Sequence, residues 1–134
     1  MQPAKIIVRY ANGRIIKGYT DDFLPTKPIF HMQPIDSNTL NEIIEVLVQD
    51  LKGVFFVRDF EGDPKYKEQK TFPDGVEVFG RKVEVRFKDG EVMTGSTLDY
   101  HPQRPGFFLL PSDPHWNTLR VFVVSQAVSK VYPI

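Results

Sequence analysis

Short runs of apolar residues that alternate with polar residues recur along the chain and predict β-strands. The clearest run is 83–87, in which Val83, Val85 and Phe87 share one face. An Asn-Gly pair at 12–13 and an Asp-Gly pair at 89–90 then predict tight type I′ turns. The predicted strands are 6–10, 14–20, 29–33, 43–49 and 54–57, followed by 83–87, 91–97, 107–110, 120–125 and 131–134.

The two sets of predicted strands belong to an internal repeat. Sliding the chain by 77 residues places 5–57 over 82–134 without a gap, and 15 of the 53 aligned pairs are identical. Unrelated sequences would give about one identity in twenty. We therefore predict an internal duplication in three parts, with a first β-barrel repeat at 1–62, a linker at 63–79 and a second repeat at 80–134.

The segment 35–45 leaves two interpretations open. It could run as a loop into a strand, or it could begin a helix with Ser37 as its N-cap and with Leu40, Ile43, Ile44 and Leu47 on one stripe. The counterpart in the second repeat, 114–118, is typical of a loop. We favour a loop leading into a strand in both copies, with a helical turn in the first as the alternative.

Composition excludes some functions and leaves most open. The 17 basic and 17 acidic side chains cancel, so no overall field draws the protein to nucleic acid or to an anionic membrane. The chain has no cysteine, which removes disulfides, thiolate metal ligands and a cysteine nucleophile. We predict neither a metal site nor a cofactor. Apolar runs are too short for a signal peptide core or a membrane span, so we expect a cytoplasmic protein.

The first two strands and the turn between them, at Ile6–Gly18 and Val83–Gly95, resemble those of the Sm-like family. Five short antiparallel strands in about 53 residues also fit a small barrel of SH3 type. The predicted fold is therefore all-β, with two tandem five-stranded Sm/SH3-like barrels. The whole chain further resembles uncharacterised bacterial proteins that share the segment Phe56–Gly62, a resemblance that implies no known activity.

The Sm-like resemblance does not extend to the residues with which that family binds RNA. Family members hold a base with an Asp and an Asn after the second strand and have an Arg-Gly step before the last strand. Neither 20–25 nor 97–102 contains an Asn, and no Arg-Gly step precedes the fifth strand of either repeat.

A duplicated proline-rich loop between strands two and three is the most distinctive candidate binding feature. Two prolines three residues apart favour extended polyproline II, and each loop adds one cation that could meet a partner or an anion. The alternative, which we favour, is a stiff connection whose flanking aromatic residues pack in the core. The candidate residues are Pro25, Lys27, Pro28, Pro102, Arg104 and Pro105.

Three further features of the sequence are candidate sites. Trp116 lies in a loop without an aromatic counterpart, so it is either a binding anchor or a lid over the core. The carboxylates of Asp59, Glu61 and Asp63 alternate, which is more typical of a solvated linker than of a calcium site. His101 follows Asp99 at a spacing that could pair the two side chains, but a surface histidine is the better interpretation.

These observations favour a non-enzymatic interaction module that binds a protein partner or forms a homo-oligomer through exposed strand edges and the proline-rich loops. The alternative is nucleic-acid or nucleotide binding through a local basic and aromatic patch formed by Arg9, Arg14, Lys17 and Tyr19. An enzyme that uses His101 ranks third, because no nucleotide-binding, metalloprotease or hydrolase motif is present in the sequence.

Overall fold

The computed structural model describes residues 2–36 and 42–134, and within them the regular structure is ten strands and two 3₁₀ helices. The 3₁₀ helices are Val48–Asp50 and Ser125–Ala127. The strands are β1 (Ala4–Tyr10), β2 (Ile15–Thr20), β3 (Ile29–Pro34), β4 (Ile44–Leu47), β5 (Leu51–Val57), β6 (Arg81–Phe87), β7 (Val92–Thr97), β8 (Gly106–Pro111), β9 (Thr118–Val124) and β10 (Val128–Pro133).

The predicted all-β class is confirmed, and each predicted strand corresponds to an observed one. The fifth strand of each repeat begins earlier than predicted, at Leu51 and at Val128, because a 3₁₀ helix makes the connection from the fourth strand. Of the segment left open between loop and helix, Ile44 begins β4, whereas residues 37–41 lie outside the described part of the chain.

All ten strands pair antiparallel in one continuous sheet with the order β10-β6-β7-β8-β9-β5-β1-β2-β3-β4. The sheet is not closed, and β10 and β4 lie at its two ends. The prediction of two separate barrels did not anticipate this continuity. It arises because β5 pairs with β9, so a strand of the first predicted repeat extends the sheet of the second.

Equivalent strands of the two halves pair in the same register. Ile6 lies opposite Gly18 in the first half and Val83 lies opposite Gly95 in the second, both shifted by the 77 residues of the sequence repeat. The same shift relates β2–β3 pairing to β7–β8 pairing and β3–β4 pairing to β8–β9 pairing. The repeated sequence therefore specifies a repeated local strand arrangement.

Two hydrophobic clusters form the core, and the central strands β5 and β9 contribute to both. Phe56 and Phe122 belong to the cluster that also contains residues of β1, β3 and β4. Their neighbours Phe55 and Val121 belong to the cluster built mainly from β6, β7 and β8. Because alternate side chains of a strand point to opposite faces, this central pair is covered on both sides.

The Asn-Gly and Asp-Gly turns differ from the predicted type. Tyr10 donates its N–H to the carbonyl of Arg14 at 2.8 Å, which leaves a three-residue loop in place of a two-residue type I′ turn. Gly13 completes that loop with φ of 95°, and Gly90 has the same angle in the second half. The positive φ of Gly13 and Gly90 is the one that a type I′ turn requires of its glycine. The predicted loop length of two residues was wrong.

Gly18 and Gly95 lie near the middle of the second strand of each half, where a glycine predicts a bulge or a sharp bend. The β1–β2 and β6–β7 registers continue through both glycines without a shift, so neither residue forms a bulge. Each glycine instead permits close contact with the next strand. A Cβ on Gly18 would lie 2.3 Å from the carbonyl oxygen of Gln33.

Candidate functional site

A cleft of about 570 Å³ lies where β1, β2 and β5 meet the segment after β5 and the loop before β9. We call it the Trp116 cleft. Its apolar floor comes from Ile7 and Ile15 of the first hairpin and from Phe55 and Val57 of β5. Half-buried Trp116 lines the same cleft, which places a large aromatic surface beside that floor.

Backbone and side-chain hydrogen bonds fix the loop that carries Trp116. The guanidinium of Arg58 donates to the carbonyl oxygens of Pro114 at 3.0 Å and of Trp116 at 3.4 Å. Asn117 accepts from the N–H of Asp59 at 3.1 Å and donates to the Asp59 carbonyl at 2.9 Å. The segment after β5 and the Trp116 loop thus form one hydrogen-bonded wall of the cleft.

Asp113 anchors both that loop and the following linker. Although Asp113 is only 5% exposed, its carboxylate accepts the N–H of His115 at 2.9 Å, the N–H of Gln69 at 2.9 Å and the hydroxyl of Tyr66 at 2.5 Å. Burial opposes ionisation, but these hydrogen bonds outweigh it and hold the pKa of Asp113 below its usual value.

We expect Asp113→Ala to lower the free energy of unfolding by about 2 kcal/mol, because the Tyr66 hydroxyl and two amides lose their acceptor. The linker should also become more accessible to protease. Urea denaturation and limited proteolysis would measure the two effects. Asp36→Ala is the matched control, since Asp36 is the exposed repeat counterpart of Asp113. Equal losses in both variants would contradict the anchoring role.

The charges of the Trp116 cleft are mixed. Three basic residues line it, and each already has a partner within the protein. Arg9 pairs with Glu91 at 2.9 Å and lies 5.1 Å from the ring centroid of Phe55. Lys17 donates to the carbonyl oxygen of Phe60 at 2.7 Å, and Arg58 holds the Trp116 loop.

The alternating carboxylates predicted in the linker lie along the same cleft. They do not form one extended face, because Asp59 accepts the N–H of Gly62 at 2.5 Å and Asp63 accepts the N–H of Lys65 at 2.9 Å, which turns the chain. Across residues 2–36 and 42–134, no group of three or more His, Asp or Glu side chains is placed to hold a metal ion. The cleft therefore offers both signs of charge around an apolar floor.

The candidate residues of the proline-rich loops are divided among different surfaces. Pro25, Lys27, Pro28 and Pro105 line one groove of about 280 Å³. Pro102 lines a separate small cavity. Exposed Arg104 forms a turn, where its carbonyl oxygen accepts the hydroxyl of Ser125 at 2.7 Å and its N–H donates to the His101 carbonyl at 3.1 Å.

The aromatic residues that flank these loops pack inward, as the stiff-connection interpretation predicts. Phe30 and Phe107 are each 1% exposed. The ring of Phe23 lies 5.1 Å from that of Phe30, and the ring of Tyr100 lies 4.9 Å from that of Phe107. The loops are thus attached to the core at both ends.

Arg9, Lys17 and Tyr19 of the predicted basic and aromatic patch lie on one face of the β1–β2 pair, because Lys17 and Tyr19 lie opposite Ile7 and Lys5 of β1. Arg9 and Lys17 line the Trp116 cleft, whereas Tyr19 lines a different cavity. Tyr19 packs edge-on against Phe60 at 5.2 Å, and the guanidinium of Arg14 lies 5.7 Å from the ring centroid of Tyr10. Each of the four side chains is engaged within the protein.

The histidine and aspartate that pair are those of the first half. His31 Nδ1 lies 2.7 Å from Asp22, and the hydrogen bonds from His31 help to hold the pKa of Asp22 low against the opposing effect of burial. In the second half, His101 accepts the N–H of Gln103 at 3.1 Å, whereas Asp99 accepts the N–H of Phe108. Sequence spacing missed the His31 contact because Asp22 lies in the loop after β2, whereas His31 lies nine residues later in β3.

A model for a family of unknown function (DUF6982) matches residues 2–133 of the chain. No curated protein matches the sequence, and no solved structure matches it either. Within the described residues, no helix is long and apolar enough to cross a lipid bilayer.

Proposed function

The chain belongs to DUF6982, a family of unknown function, and we propose that it is a non-enzymatic interaction module that binds an extended segment of a protein partner in the Trp116 cleft. One observation carries this proposal. The cleft combines an apolar floor, a half-buried tryptophan and charges of both signs, which is the composition that suits a polypeptide.

The wall of the cleft supports binding without a large rearrangement. Arg58 and Asn117 hold the backbone of the Trp116 loop by hydrogen bonds before a partner arrives. A pre-ordered loop loses little conformational entropy on binding. Asp59, Glu61 and Asp63 at the rim would orient basic residues of the partner.

The architecture that carries the cleft is, in this proposal, a tandem duplication of a small five-stranded Sm/SH3-like barrel. The recurring register of equivalent strands, the two 3₁₀ helices at equivalent places and the two core clusters support it. The repeats would occupy 1–62 and 80–134. We further propose a cytoplasmic location.

A different protein is favoured over a second copy of this chain as the partner. The strands equivalent to β5 and β9 under the 77-residue shift are β10 and β4, which would have to pair with each other between two copies of the chain. The residues at these equivalent positions differ, since Glu45 replaces Phe122, Ser129 replaces Lys52 and Pro133 replaces Phe56.

Pro133 also weakens the free edge of β10. Ile134 donates its N–H to the Lys82 carbonyl at 3.0 Å, so alternation along the strand directs Pro133 towards the open edge. Proline offers no N–H there. This is a common means of preventing edge-to-edge pairing.

Binding of nucleic acid receives less support than binding of a protein. The three cations of the cleft are engaged by Glu91 or by backbone carbonyls, and three carboxylates lie beside them. A phosphate backbone would have to break those contacts and overcome the repulsion from the carboxylates.

Selection from a peptide library on the folded protein tests the proposed function. Trp116 is the only tryptophan of the chain, so its fluorescence reports occupancy of the cleft. We expect a selected peptide to change the Trp116 emission with saturation. Trp116→Ala should weaken binding about tenfold or more in calorimetry. Lys130→Ala, on β10 and outside the residues that line the cleft, should leave the affinity unchanged.

Two outcomes would overturn the proposal. A selected peptide that binds Trp116→Ala as tightly as the parent protein would place the binding site elsewhere. A single-stranded oligonucleotide that binds in the cleft, with affinity falling steeply as salt rises, would favour the nucleic-acid alternative.

A further inference from the structure

A second candidate site surrounds Arg120, the residue of β9 that lies opposite Phe56 of β5. A cavity of about 310 Å³ has this side chain in its lining, and none of its lining residues belongs to the Trp116 cleft. The repeat counterpart of Arg120 is Ile43. The arginine is therefore a departure from the duplicated pattern and is not required by the repeated fold.

Two aromatic rings support the Arg120 guanidinium. Its central carbon lies 4.2 Å from the ring centroid of Phe56 and 4.6 Å from that of Phe108. The rings themselves are fixed, because Phe56 is 6% exposed and Phe108 packs against Phe122 at 5.2 Å. Such stacking restricts a guanidinium while leaving its N–H donors free to point outward.

No anion of the described residues neutralises this charge. The ion pairs formed by residues 2–36 and 42–134 involve other cations, and the Arg120 side chain forms no hydrogen bond with any of those residues. Partial burial against the rings lowers the pKa of Arg120, with no carboxylate acting in the opposite direction. The guanidinium nevertheless stays protonated, because arginine does not lose its charge in proteins.

The rest of the cavity is mainly apolar. Phe23, Ala4 and Pro25 line it together with the two rings, and Gln2, Thr20 and Asp21 provide its polar groups. The Thr20 hydroxyl is already engaged, since it donates to the His31 carbonyl at 2.7 Å. Asp21 is exposed and forms no ion pair with Arg120. The guanidinium of Arg120 is the one cationic group among the residues that line the cavity.

We propose that the Arg120 cavity binds a carboxylate carried on an aromatic or other apolar group. The planar guanidinium can donate two parallel hydrogen bonds to a carboxylate, and the apolar carrier would then lie against Phe23 and the ring of Phe108. Such a carboxylate belongs to a small organic acid or to the C-terminus of a peptide that ends in an apolar residue. The site is separate from the Trp116 cleft and does not depend on the function proposed for it.

Nuclear magnetic resonance titrations of the isotope-labelled protein test this site. Benzoate is the probe, and benzamide is the matched control because it has a similar shape without the charge. We expect benzoate alone to shift the Arg120 Nε–Hε resonance with saturation. Arg120→Gln should weaken benzoate binding about tenfold or more, whereas Arg81→Gln, at an exposed arginine of β6, should leave it unchanged.

A peptide that ends in phenylalanine, with a free or an amidated C-terminus, distinguishes the two sources of carboxylate. Binding that requires both the free terminus and Arg120 supports the proposal and assigns a peptide. Binding of benzoate without binding of the peptide supports it and assigns a small acid.

Three results would overturn the proposal. These are equal shifts from benzoate and benzamide, equal benzoate affinity in Arg120→Gln, and inorganic phosphate binding as tightly as benzoate at matched ionic strength. Arg120→Lys keeps the charge without the planar fork and should bind benzoate with intermediate affinity. It therefore provides a second variant if Arg120→Gln does not fold.

Discussion

Replacing Gly95 by valine should destabilise the protein by about 3 kcal/mol or more, since added side-chain volume in a packed strand pair forces the backbone to shift. A Cβ at this position would lie 2.3 Å from the Leu110 carbonyl oxygen and 2.9 Å from Leu109 Cγ. Leu110 is held in the β7–β8 pairing, so it cannot move away without loss of strand contacts. Urea denaturation followed by far-UV circular dichroism would measure the loss.

Gly75→Val is the matched control for that substitution. No atom lies within 4 Å of a Cβ built on Gly75, although its φ of 76° disfavours a side chain. We expect a loss of about 1–2 kcal/mol from the backbone conformation alone. If the two variants were equally destabilised, steric contact with β8 would not be the reason for glycine at position 95.

The second large effect is expected at Lys52, whose side chain is 5% exposed. Its ammonium lies 2.6 Å from Asp89 Oδ2, also pairs with Glu91, and sits 4.7 Å from the ring centroid of Phe87. Lys52 belongs to β5, whereas both carboxylates lie in or beside the β6–β7 turn. The cluster of Lys52, Asp89 and Glu91 thus connects β5 with the β6–β7 turn through a buried ammonium group.

We expect Lys52→Met to lower the free energy of unfolding by about 2 kcal/mol. The loss is smaller than for a fully buried ion pair, because Asp89 and Glu91 are partly exposed. Lys88→Met, at an exposed lysine of the same turn, should cost little and serves as the control. Equal effects of the two substitutions in urea denaturation would argue against the buried pair.

The same cluster predicts a pH dependence of stability. The hydrogen bond from Lys52 lowers the pKa of Asp89. Burial opposes ionisation of Glu91, but hydrogen bonds from Lys52 and Arg9 outweigh it and lower its pKa. Since both folded-state pKa values lie below the unfolded ones, this stabilisation is complete at neutral pH and is lost as pH falls below about 4. Lys52→Met should flatten that acid limb.

The strand content could be predicted from local pattern because alternation needs only neighbouring residues. In β6, Val83, Val85 and Phe87 are all buried on one face, as their spacing predicts. The fully apolar run 54–57 contained a further signal, since consecutive apolar residues are typical of a strand covered on both faces. That signal is explained by the position of β5 between two core clusters.

The candidate sites were less accessible to sequence reasoning. Trp116 was identified as either an anchor or a lid, and the structure places it in the lining of a cleft together with Arg9 and Lys17. These residues are distant in sequence, so no spacing rule could group them. Arg120 was overlooked, although its replacement of Ile43 in an otherwise apolar position of the repeat could have drawn attention to it.

By itself, the sequence determined the β-strands, the 77-residue spacing of identical residues and the inward packing of the aromatic residues around the proline-rich loops. The strands follow from short-range periodicity, which needs only neighbouring residues. Only the tertiary structure decided that β5 pairs with β9, and therefore that one open sheet bears both the Trp116 cleft and the Arg120 cavity. The physical reason is that strand edges are chemically alike, so which edges meet depends on long-range packing of side chains such as Phe55 and Phe122.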